Sequence, residues 1–340
     1  MKALRLHDIN DSRVHEEPSP VADTGEALIK VTAVGICGSD LHWLTDGTTG
    51  DEMITTPFVL GHEFAGVVLD GELKGQLVAV DPAIPCESCE FCQEGNPNLC
   101  PDVKFAGQAP HDGALRQLVA WPENRLYPLP ERFTAEHGAM LEPLGVALHT
   151  VDLGKVQPGM TVGICGCGPI GLLTLQVARL AGATRVLATD PLPHRLEAAR
   201  ELGADAVFLT SQGAEQAQIM AATRYRGVDV AYETAGENPA VETAVETCKP
   251  GGRVVLCGIP TVNRTSFKAS TARRKGLTIK LVRRMKHTYP RAIRLVEAGL
   301  VNVHAIISHR FPLEEYKQAF DVAQKREGLK VVIYPNEEQL

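Results

Sequence analysis

A glycine-rich turn between a strand pattern and a helix pattern constrains this chain of 340 residues more than any other feature. Gly166-Cys-Gly168-Pro-Ile-Gly171 has the spacing G-x-G-x-x-G. The apolar run 161–165 before it predicts a buried strand, and residues 170–181 predict a helix. Strand and helix patterns continue to alternate beyond the turn. That alternation predicts right-handed crossovers and a doubly wound parallel sheet, which places the chain in the α/β class.

The turn has the residues that a dinucleotide-binding loop needs. Gly166 permits the tight turn, and Gly168 lets the backbone approach a pyrophosphate at the positive end of the helix. Gly171 lets the helix pack closely on the sheet. Pro169 and Ile170 open the helix, where the N–H that proline lacks would be spare. We therefore predict a cofactor-binding role for these five positions.

An acidic residue at the end of the next strand predicts which dinucleotide binds. Asp190 can accept hydrogen bonds from both ribose hydroxyls, and its charge would repel a 2′-phosphate, so NAD is favoured over NADP. Arg195 nearby opposes this preference, because a guanidinium can bind that phosphate. The alternative is a glycine turn in an α/β domain that binds no nucleotide. The strand, the turn, the helix and Asp190 together disfavour it.

Four cysteines in an irregular lobe, residues 81–102, predict a structural zinc site. Cys86, Cys89, Cys92 and Cys100 follow the spacing C-x2-C-x2-C-x7-C. Tetrahedral zinc needs four ligands, and four thiolates leave no open position. Such an ion would stabilise a lobe that buries little apolar surface. Unrelated thiols or a redox pair are the alternative, and the spacing disfavours both.

A second group of residues is compatible with an open zinc site. Cys37, His62, Glu63 and Glu142 supply thiolate, imidazole and carboxylate donors, the types found in catalytic zinc centres. They are far apart in the chain, so spacing alone does not establish that they converge. Single histidines and glutamates at such separations are more often structural.

Composition narrows the class of protein. Hydrophobic residues make up 44% of the chain and charged residues 22%, as in ordinary globular proteins of two domains. The net charge of −7 gives no general attraction for nucleic acid or anionic membrane. The N-terminus does not have the apolar stretch of a signal peptide, and glycines, a proline and Arg179 interrupt residues 162–183. We expect no nucleic-acid or membrane partner, and a cytoplasmic location in which cysteines are thiols or metal ligands.

Several motifs in the same order resemble the zinc-dependent medium-chain dehydrogenases, and within them the sorbitol (polyol) dehydrogenase group. They are residues 35–40, 61–63 and 141–144, the four-cysteine lobe and the glycine turn. The resemblance covers essentially the whole chain. It implies a GroES-like, irregular β-rich catalytic domain over residues 1–150 and 291–340, and a Rossmann nucleotide-binding domain over residues 151–290. It also implies NAD, two zinc ions per chain, and a homodimer or homotetramer.

The resemblance also implies roles for the residues of the second group. Cys37 and His62 would bind the catalytic zinc together with Glu63, and Glu142 would join them directly or through water. Asp40 resembles the acid that orients the histidine ligand.

Other residues are assigned by the same resemblance to proton transfer and substrate binding. Ser39 and His42 resemble a relay that carries the alcohol proton out of the pocket. Trp43 and Arg284 resemble substrate-binding positions. The neighbours of Arg284 differ from those usual in sorbitol dehydrogenases, which leaves other polyols, sugars or threonine open.

The predicted activity is hydride transfer from a secondary alcohol, a polyol or sugar, to NAD⁺. The alternatives are L-threonine 3-dehydrogenase, another alcohol dehydrogenase, a catalytically inactive NAD(H)-sensing regulator, or a zinc-free quinone reductase relative. Retention of both sets of zinc-type residues argues against the last two. The sequence leaves open the physiological substrate, the direction of reaction and which glutamate contacts zinc directly.

Overall fold

The computed structural model describes residues 1–336, and the contacts within the chain divide it into two compact units. One unit contains Met1–Glu142 and the chain from Tyr289 onward, and the other contains Pro143–Thr288. The first division falls inside a long helix, Ala135–Gly154. Because a helix is continuous in its hydropathy pattern, such a boundary is hard to locate from the sequence.

The first part of the chain is rich in short strands. They are β1 (Lys2–Asp8), β2 (Asp11–Glu16), β3 (Glu26–Gly35), β4 (Thr48–Thr49), β5 (Glu52–Met53), β6 (Phe58–Val59), β7 (Glu63–Val68), β8 (Leu77–Val80), β9 (Ala83–Ile84), β10 (Lys104–Phe105), β11 (Leu118–Pro122) and β12 (Leu126–Pro128). The helices are α1 (Gly38–Asp46), α2 (Glu90–Gln93) and α3 (Ala135–Gly154), with 3-10 turns at Pro97–Leu99 and Glu123–Arg125.

The second unit alternates strands with helices. The strands are β13 (Thr161–Cys165), β14 (Arg185–Asp190), β15 (Ala206–Leu209), β16 (Val228–Glu233), β17 (Cys248–Leu256) and β18 (Thr278–Leu281). The helices are α4 (Pro169–Leu180), α5 (Pro193–Glu201), α6 (Glu215–Ala222), α7 (Asn238–Thr247) and α8 (Ala269–Lys275), with a 3-10 turn at Thr210–Gln212.

The chain then returns to the first unit. It forms α9 (Tyr289–Glu297), β19 (Ile307–Pro312), α10 (Tyr316–Gln324) and β20 (Lys330–Tyr334), with 3-10 turns at His304–Ile306 and Leu313–Glu315. The apolar run 305–307 predicts a strand, and this prediction is wrong for its first two residues, which lie in the turn His304–Ile306. The Asn302 side chain accepts the N–H of Ala305 at 3.0 Å, which favours a turn before β19 begins.

A seven-stranded sheet organises the first unit. Its order is β12-β8-β7-β3-β20-β19, and β11 also pairs with β3. The strands around β3 are antiparallel, whereas β19 and β20 run parallel. The core packed on this sheet includes Ile29, Phe64, Trp121 and Ile333. Strand β3 therefore lies inside the sheet, with β7 and β20 positioned to bring distant side chains near it.

A six-stranded parallel sheet organises the second unit, as the sequence predicted. Its order is β15-β14-β13-β16-β17-β18. All residues of β16 and all but the first of β13 are buried, which is typical of a parallel sheet covered on both faces. The strand order reverses between β13 and β16, and ligands of such sheets bind at the carboxyl ends there. The α/β fold class is confirmed.

The most apolar stretch of sequence corresponds to β13 and α4, the strand and helix that were predicted there. Across residues 1–336, no helix combines the length and apolar character that crossing a membrane requires.

Candidate active site

Strand pairing brings three of the predicted zinc ligands together. The ligand atoms of Cys37, His62 and Glu63 all lie within 4.8 Å of one another. Gly35, the last residue of β3, pairs with Glu63, the first residue of β7. Cys37, two residues after Gly35, is the N-cap of α1, and His62 immediately precedes β7. Residues far apart in the sequence therefore meet because their strand ends are paired.

Asp40 connects the two segments that carry these donors. One carboxylate oxygen accepts the N–H of Cys37 at 2.9 Å, and the other accepts the N–H of Gly61 at 3.1 Å. The second oxygen also lies 3.6 Å from Nδ1 of His62. Burial opposes the charged form of His62, but the negative charges of Asp40 and Cys37 outweigh it and raise the pKa of the imidazole. Asp40 therefore lies against the imidazole of His62, the ligand that the resemblance predicts it to orient.

Lys330 lies in this cluster and was not anticipated from the sequence. Its Nζ donates to both oxygens of Glu63, at 2.8 and 2.6 Å. Lys330 is the first residue of β20 and is followed by four apolar or aromatic residues. A single lysine at the start of an otherwise buried strand is the signal that could have revealed it, because buried lysines are rare unless paired.

Glu142 is buried close to the cluster but is not one of the three residues that converge. It lies on α3, in the first unit. Burial and the charge of Glu63, opposed by the charges of His62 and Lys330, together raise the pKa of its carboxyl to about 7. Its predicted role as a direct ligand is therefore less well supported than that of Glu63. A contact through water is compatible with its position.

Ser39 and His42 lie on α1, the helix that follows Cys37. Ser39 is in its first turn and is half-buried. The imidazole Nδ1 of His42 lies 2.8 Å from a carboxylate oxygen of Asp46, one helical turn further on. Asp46 therefore orients the His42 ring, and the sequence reasoning did not identify this partner.

The two predicted substrate residues have different surroundings. Trp43 is 1% exposed and packs edge-on against Phe58, with ring centroids 5.2 Å apart. That is the environment of a core residue, and it gives no support to a substrate contact. Arg284 belongs to the second unit, is half-buried and has a left-handed φ of 51°.

The four cysteines of the irregular lobe also converge. Their sulfur atoms all lie within 4.8 Å of one another. The N–H groups of Cys86 and Cys89 point at the sulfurs of Cys100 and Cys86, each at 3.3 Å. Backbone N–H bonds of this kind stabilise thiolates. Burial raises the pKa of Cys92 to about 12, whereas backbone N–H groups lower that of Cys86 to about 6.

The glycine-rich loop joins β13 to α4, as predicted. Gly168 is the N-cap of α4, and Pro169 and Ile170 form its first turn. A Cβ atom on Gly171 would lie 1.9 Å from the carbonyl oxygen of Gly166, so no larger residue fits there. The loop therefore presents the N-terminus of a twelve-residue helix at the carboxyl end of the sheet.

Asp190 and Arg195 both lie next to this loop. The carboxylate of Asp190 accepts the N–H of Cys167 at 2.8 Å and that of Leu192 at 2.9 Å. Arg195 is close to the loop, because a Cβ atom on Gly168 would lie 3.5 Å from one of its guanidinium nitrogens. A negative and a positive group thus lie next to the backbone predicted to hold the pyrophosphate.

Two further residues shape this end of the sheet and were missed. Glu233 ends β16, and one of its oxygens accepts the N–H groups of Ala235 and Gly236, both at 2.7 Å. Thr234 donates its hydroxyl to the carbonyl oxygen of Gly166 at 2.8 Å. These bonds tie the loop after β16 to the glycine loop. An acid at the end of a buried parallel strand is the signal that could have identified Glu233.

Comparison with known proteins assigns the chain to a family. Residues 23–131 match the family model of the alcohol dehydrogenase GroES-like domain, and residues 169–298 match the model of the zinc-binding dehydrogenase. A sorbitol dehydrogenase of Bacillus subtilis is 37% identical over 344 residues, which cover 99% of this chain and 98% of that relative. The chain belongs to the zinc-dependent medium-chain dehydrogenases, in the sorbitol dehydrogenase group. It is an oxidoreductase.

Solved structures of zinc-family dehydrogenases share the complete fold. L-idonate 5-dehydrogenase of Escherichia coli is 29% identical, with a TM-score of 0.89 over 98% of this chain and 97% of its own. A zinc-binding dehydrogenase of Sinorhizobium meliloti bound to NADP is 32% identical, with a TM-score of 0.89 over 98% and 99%. A nicotinamide cofactor and zinc are thus properties of the family to which this chain belongs.

The donor sets fit zinc in two different ways. Four cysteine sulfurs complete a tetrahedron without any further ligand, which is the pattern of a structural site. Cys37, His62 and Glu63 form a set of three, which leaves a coordination position open, as in catalytic sites.

Proposed function

We propose that this protein is a zinc- and NAD-dependent polyol dehydrogenase, which transfers a hydride from a secondary alcohol carbon to NAD⁺. The observation that carries the proposal is the convergence of Cys37, His62 and Glu63 in a chain that also has the glycine loop and Asp190. Three donors with an open position can accommodate a substrate oxygen. The glycine loop and Asp190 match what a dinucleotide requires.

Zinc would be held by Cys37, His62 and Glu63, and when bound it supplies a Lewis acid that acidifies an alcohol. The charge of Asp40 keeps the His62 ring oriented. Its two oxygens accept the backbone N–H groups of Cys37 and Gly61 and so fix both segments that carry zinc ligands. Ser39 takes the proton that the alcohol loses and gives up its own hydroxyl proton, which passes by way of the cofactor ribose toward His42, the ring that Asp46 orients. Glu142 supplies a further carboxylate, which we propose acts through water.

The four-cysteine lobe would hold a second zinc ion with no catalytic task. Cys86, Cys89, Cys92 and Cys100 leave no position for substrate. We therefore propose two zinc ions per chain. Thiolate sites of this kind persist in a reducing compartment, which supports our assignment of the enzyme to the cytoplasm.

NAD is the proposed cofactor, although a relative binds NADP. Asp190 would hold the adenosine ribose of NAD, and Arg195 is the residue that would tolerate the phosphate of NADP. Gly166, Gly168 and Gly171 would let the backbone come close to the pyrophosphate of the cofactor.

A polyol or related sugar alcohol is the proposed substrate class, by similarity to sorbitol dehydrogenase. L-threonine or a simple alcohol is the second candidate, because the surroundings of Trp43 do not support a polyol contact. Arg284 remains a proposed substrate residue.

We also propose a homodimer or homotetramer. The resemblance implies it, and the edge strand β18 offers a surface for a second copy, because its Leu281 is 74% exposed.

A turnover screen tests the proposed function. Protein loaded with zinc is mixed with NAD⁺ or NADP⁺ and with sorbitol, xylitol, other sugar alcohols, L-threonine or simple secondary alcohols. We expect reduction of NAD⁺ with at least one polyol, and its loss in the Cys37→Ser variant. No turnover with any alcohol, from protein that holds both zinc ions, would exclude the proposal in favour of a regulator.

A further inference from the structure

Lys330 places a buried positive charge beside a proposed zinc ligand. Its Nζ contacts both oxygens of Glu63, at 2.8 and 2.6 Å, and the carbonyl oxygen of Ile36 at 3.0 Å. The side chains of Lys330 and Glu63 are only 3% and 1% exposed. Water therefore screens this pair weakly. The lysine and any metal ion bound by Glu63 must share one carboxylate.

The sheet is built to accommodate this ion pair. Gly35 of β3 pairs with Glu63 of β7 on one side and with Val332 of β20 on the other. Glu63 and Lys330 thus approach each other across β3. A Cβ atom on Gly35 would lie 2.2 Å from a carboxylate oxygen of Glu63, so the pair requires a glycine at this point.

A count of charges indicates what the lysine does. The thiolate of Cys37 and the carboxylate of Glu63 together cancel the charge of a divalent zinc ion, and the imidazole of His62 as a ligand is neutral. Lys330 adds one positive charge. An alcohol that loses its proton adds one negative charge, which the lysine balances. Without Lys330 the same ionisation would leave the buried cluster one unit more negative, which burial disfavours.

We propose that Lys330 is a positioning residue with two effects on the zinc centre. It restrains Glu63 from binding zinc through both oxygens, which keeps a position open for substrate. It also makes the net charge of the centre one unit more positive than it would be without the lysine, which favours ionisation of the substrate hydroxyl. This inference rests on the zinc site of the proposed function.

The surrounding charged groups are common to the wild type and to any Lys330 variant. Cys37, Glu63 and Glu142 interact with Lys330, and His62 and Asp81 interact with Glu142. Asp40 adjoins His62 on the other side. A difference between wild type and variant therefore reports the lysine charge.

The test compares Lys330→Met, which removes the charge, with Lys330→Arg, which keeps it. The first measurement is the zinc dissociation constant of the Cys37 site by chelator competition, with Cys37→Ser protein as the blank. Lys330→Met should bind zinc about tenfold to a hundredfold more tightly, because a nearby positive charge is removed. Lys330→Arg should remain within about threefold of the wild type, since its charge is retained.

The second measurement is the pH profile of kcat/KM. The acidic limb should move up by about one pH unit in Lys330→Met, because the substrate hydroxyl ionises less readily, and should stay in place in Lys330→Arg. A purely structural lysine would lower the melting temperature of Lys330→Met without moving either the zinc affinity or the limb. That result would overturn the inference.

If Lys330→Met does not fold, the comparison is made in Glu63→Gln protein, so that the double variant has neither charge of the Lys330–Glu63 pair. Adding Lys330→Met to Glu63→Gln should still tighten zinc binding relative to Glu63→Gln alone, and equal affinities would contradict the inference. Zinc affinity needs no turnover. An inactive wild type would therefore count against the proposed function, whereas an unchanged zinc affinity would count against this inference alone.

Discussion

The carboxylate of Asp190 accepts backbone hydrogen bonds and can still accept hydrogen bonds from a cofactor. Each of its oxygens accepts one backbone N–H, from Cys167 or Leu192, and the side chain is 3% exposed. A carboxylate oxygen has room for a second hydrogen bond. The backbone bonds fix the orientation of the group before any ribose arrives, so binding costs little further side-chain entropy.

Replacing Asp190 by serine should change the preference for the cofactor. The substitution removes the bonds to the ribose diol and the repulsion of a 2′-phosphate. One lost charged partner is worth roughly 1.5–3 kcal/mol, so NAD affinity should fall on the order of ten- to a hundredfold, while use of NADP rises. The measurement is the ratio of kcat/KM for NAD⁺ and NADP⁺ in wild type and Asp190→Ser.

Glu197→Gln is the matched control for that experiment, because it removes an acid from the exposed face of α5. Its cofactor ratio should equal that of the wild type. A wild type that prefers NADP⁺, or a ratio that Asp190→Ser does not move, would show that Asp190 does not face the adenosine ribose.

The first turn of helix α3 contains a histidine that acts as a hydrogen-bond acceptor. Nδ1 of His137 accepts the N–H of Thr134 at 3.0 Å, which satisfies one of the free donors at the helix start. Burial and the charge of nearby His304, opposed by Glu136, together lower the pKa of His137 to about 4. Protonation at Nδ1 would break the bond to Thr134. The start of α3 is therefore sensitive to acid.

The pH dependence follows from the direction of this shift. The folded pKa lies below the unfolded value of about 6.5, so between them the unfolded chain binds more protons. Stability is therefore lost as the pH falls through this window. His137→Gln keeps an acceptor that can reach the same N–H but cannot titrate. Relative to wild type, we expect similar stability at pH 7 and greater stability at pH 5.

Urea unfolding of both proteins at pH 7, 6 and 5 measures this difference. His194→Gln, on the exposed part of α5, is the control and should follow the wild type. Parallel loss of stability in wild type and His137→Gln would mean that His137 does not titrate in this range.

Local sequence was sufficient to predict the first elements of the second unit, but not its later helices α6, α7 and α8. The strand before Gly166, the helix after it and the acid at the end of β14 are set by short-range patterns, so β13, α4 and β14 were anticipated nearly residue by residue. The turn before β19 was missed because a side chain, that of Asn302, decides it. Hydropathy patterns do not contain such information.

The candidate zinc cluster could be predicted only in part, because its geometry is non-local. The spacing of Cys86 to Cys100 is itself the signal for a metal site, since the ligands come from one short loop. Cys37 and Glu63 meet through the register of β3 and β7, which a sequence does not specify. Lys330 joins them from β20. It lies 294 residues further along the chain than Ile36, whose carbonyl oxygen it contacts. Family resemblance supplied the first two. The local signal for Lys330, a lysine that opens an apolar strand, does not indicate which acid it contacts.

At the scale of the whole molecule, the two metal clusters have different environments and should have different tasks. Cys37, His62 and Glu63 lie where the seven-stranded sheet already fixes the backbone. The lobe that carries Cys86 to Cys100 has only β9, the short helix α2 and one 3-10 turn, and Leu99 is 48% exposed. A lobe that buries so little apolar surface depends on its metal, whereas the sheet does not.

Removing one ligand from each cluster should separate stability from turnover. Cys89→Ser should lose one zinc ion and lower the melting temperature, because the lobe has no core to replace it. Cys37→Ser should lose the other zinc ion and abolish turnover while the melting temperature changes little.

Elemental analysis and thermal unfolding of wild type and both variants measure these effects. The control is Cys248→Ser, which changes a buried cysteine of the second unit and should keep both zinc ions. Two zinc ions are expected in the wild type and one in each ligand variant. If Cys89→Ser melted like the wild type, the lobe would be stabilised by something other than its metal, and its thiols would need another explanation.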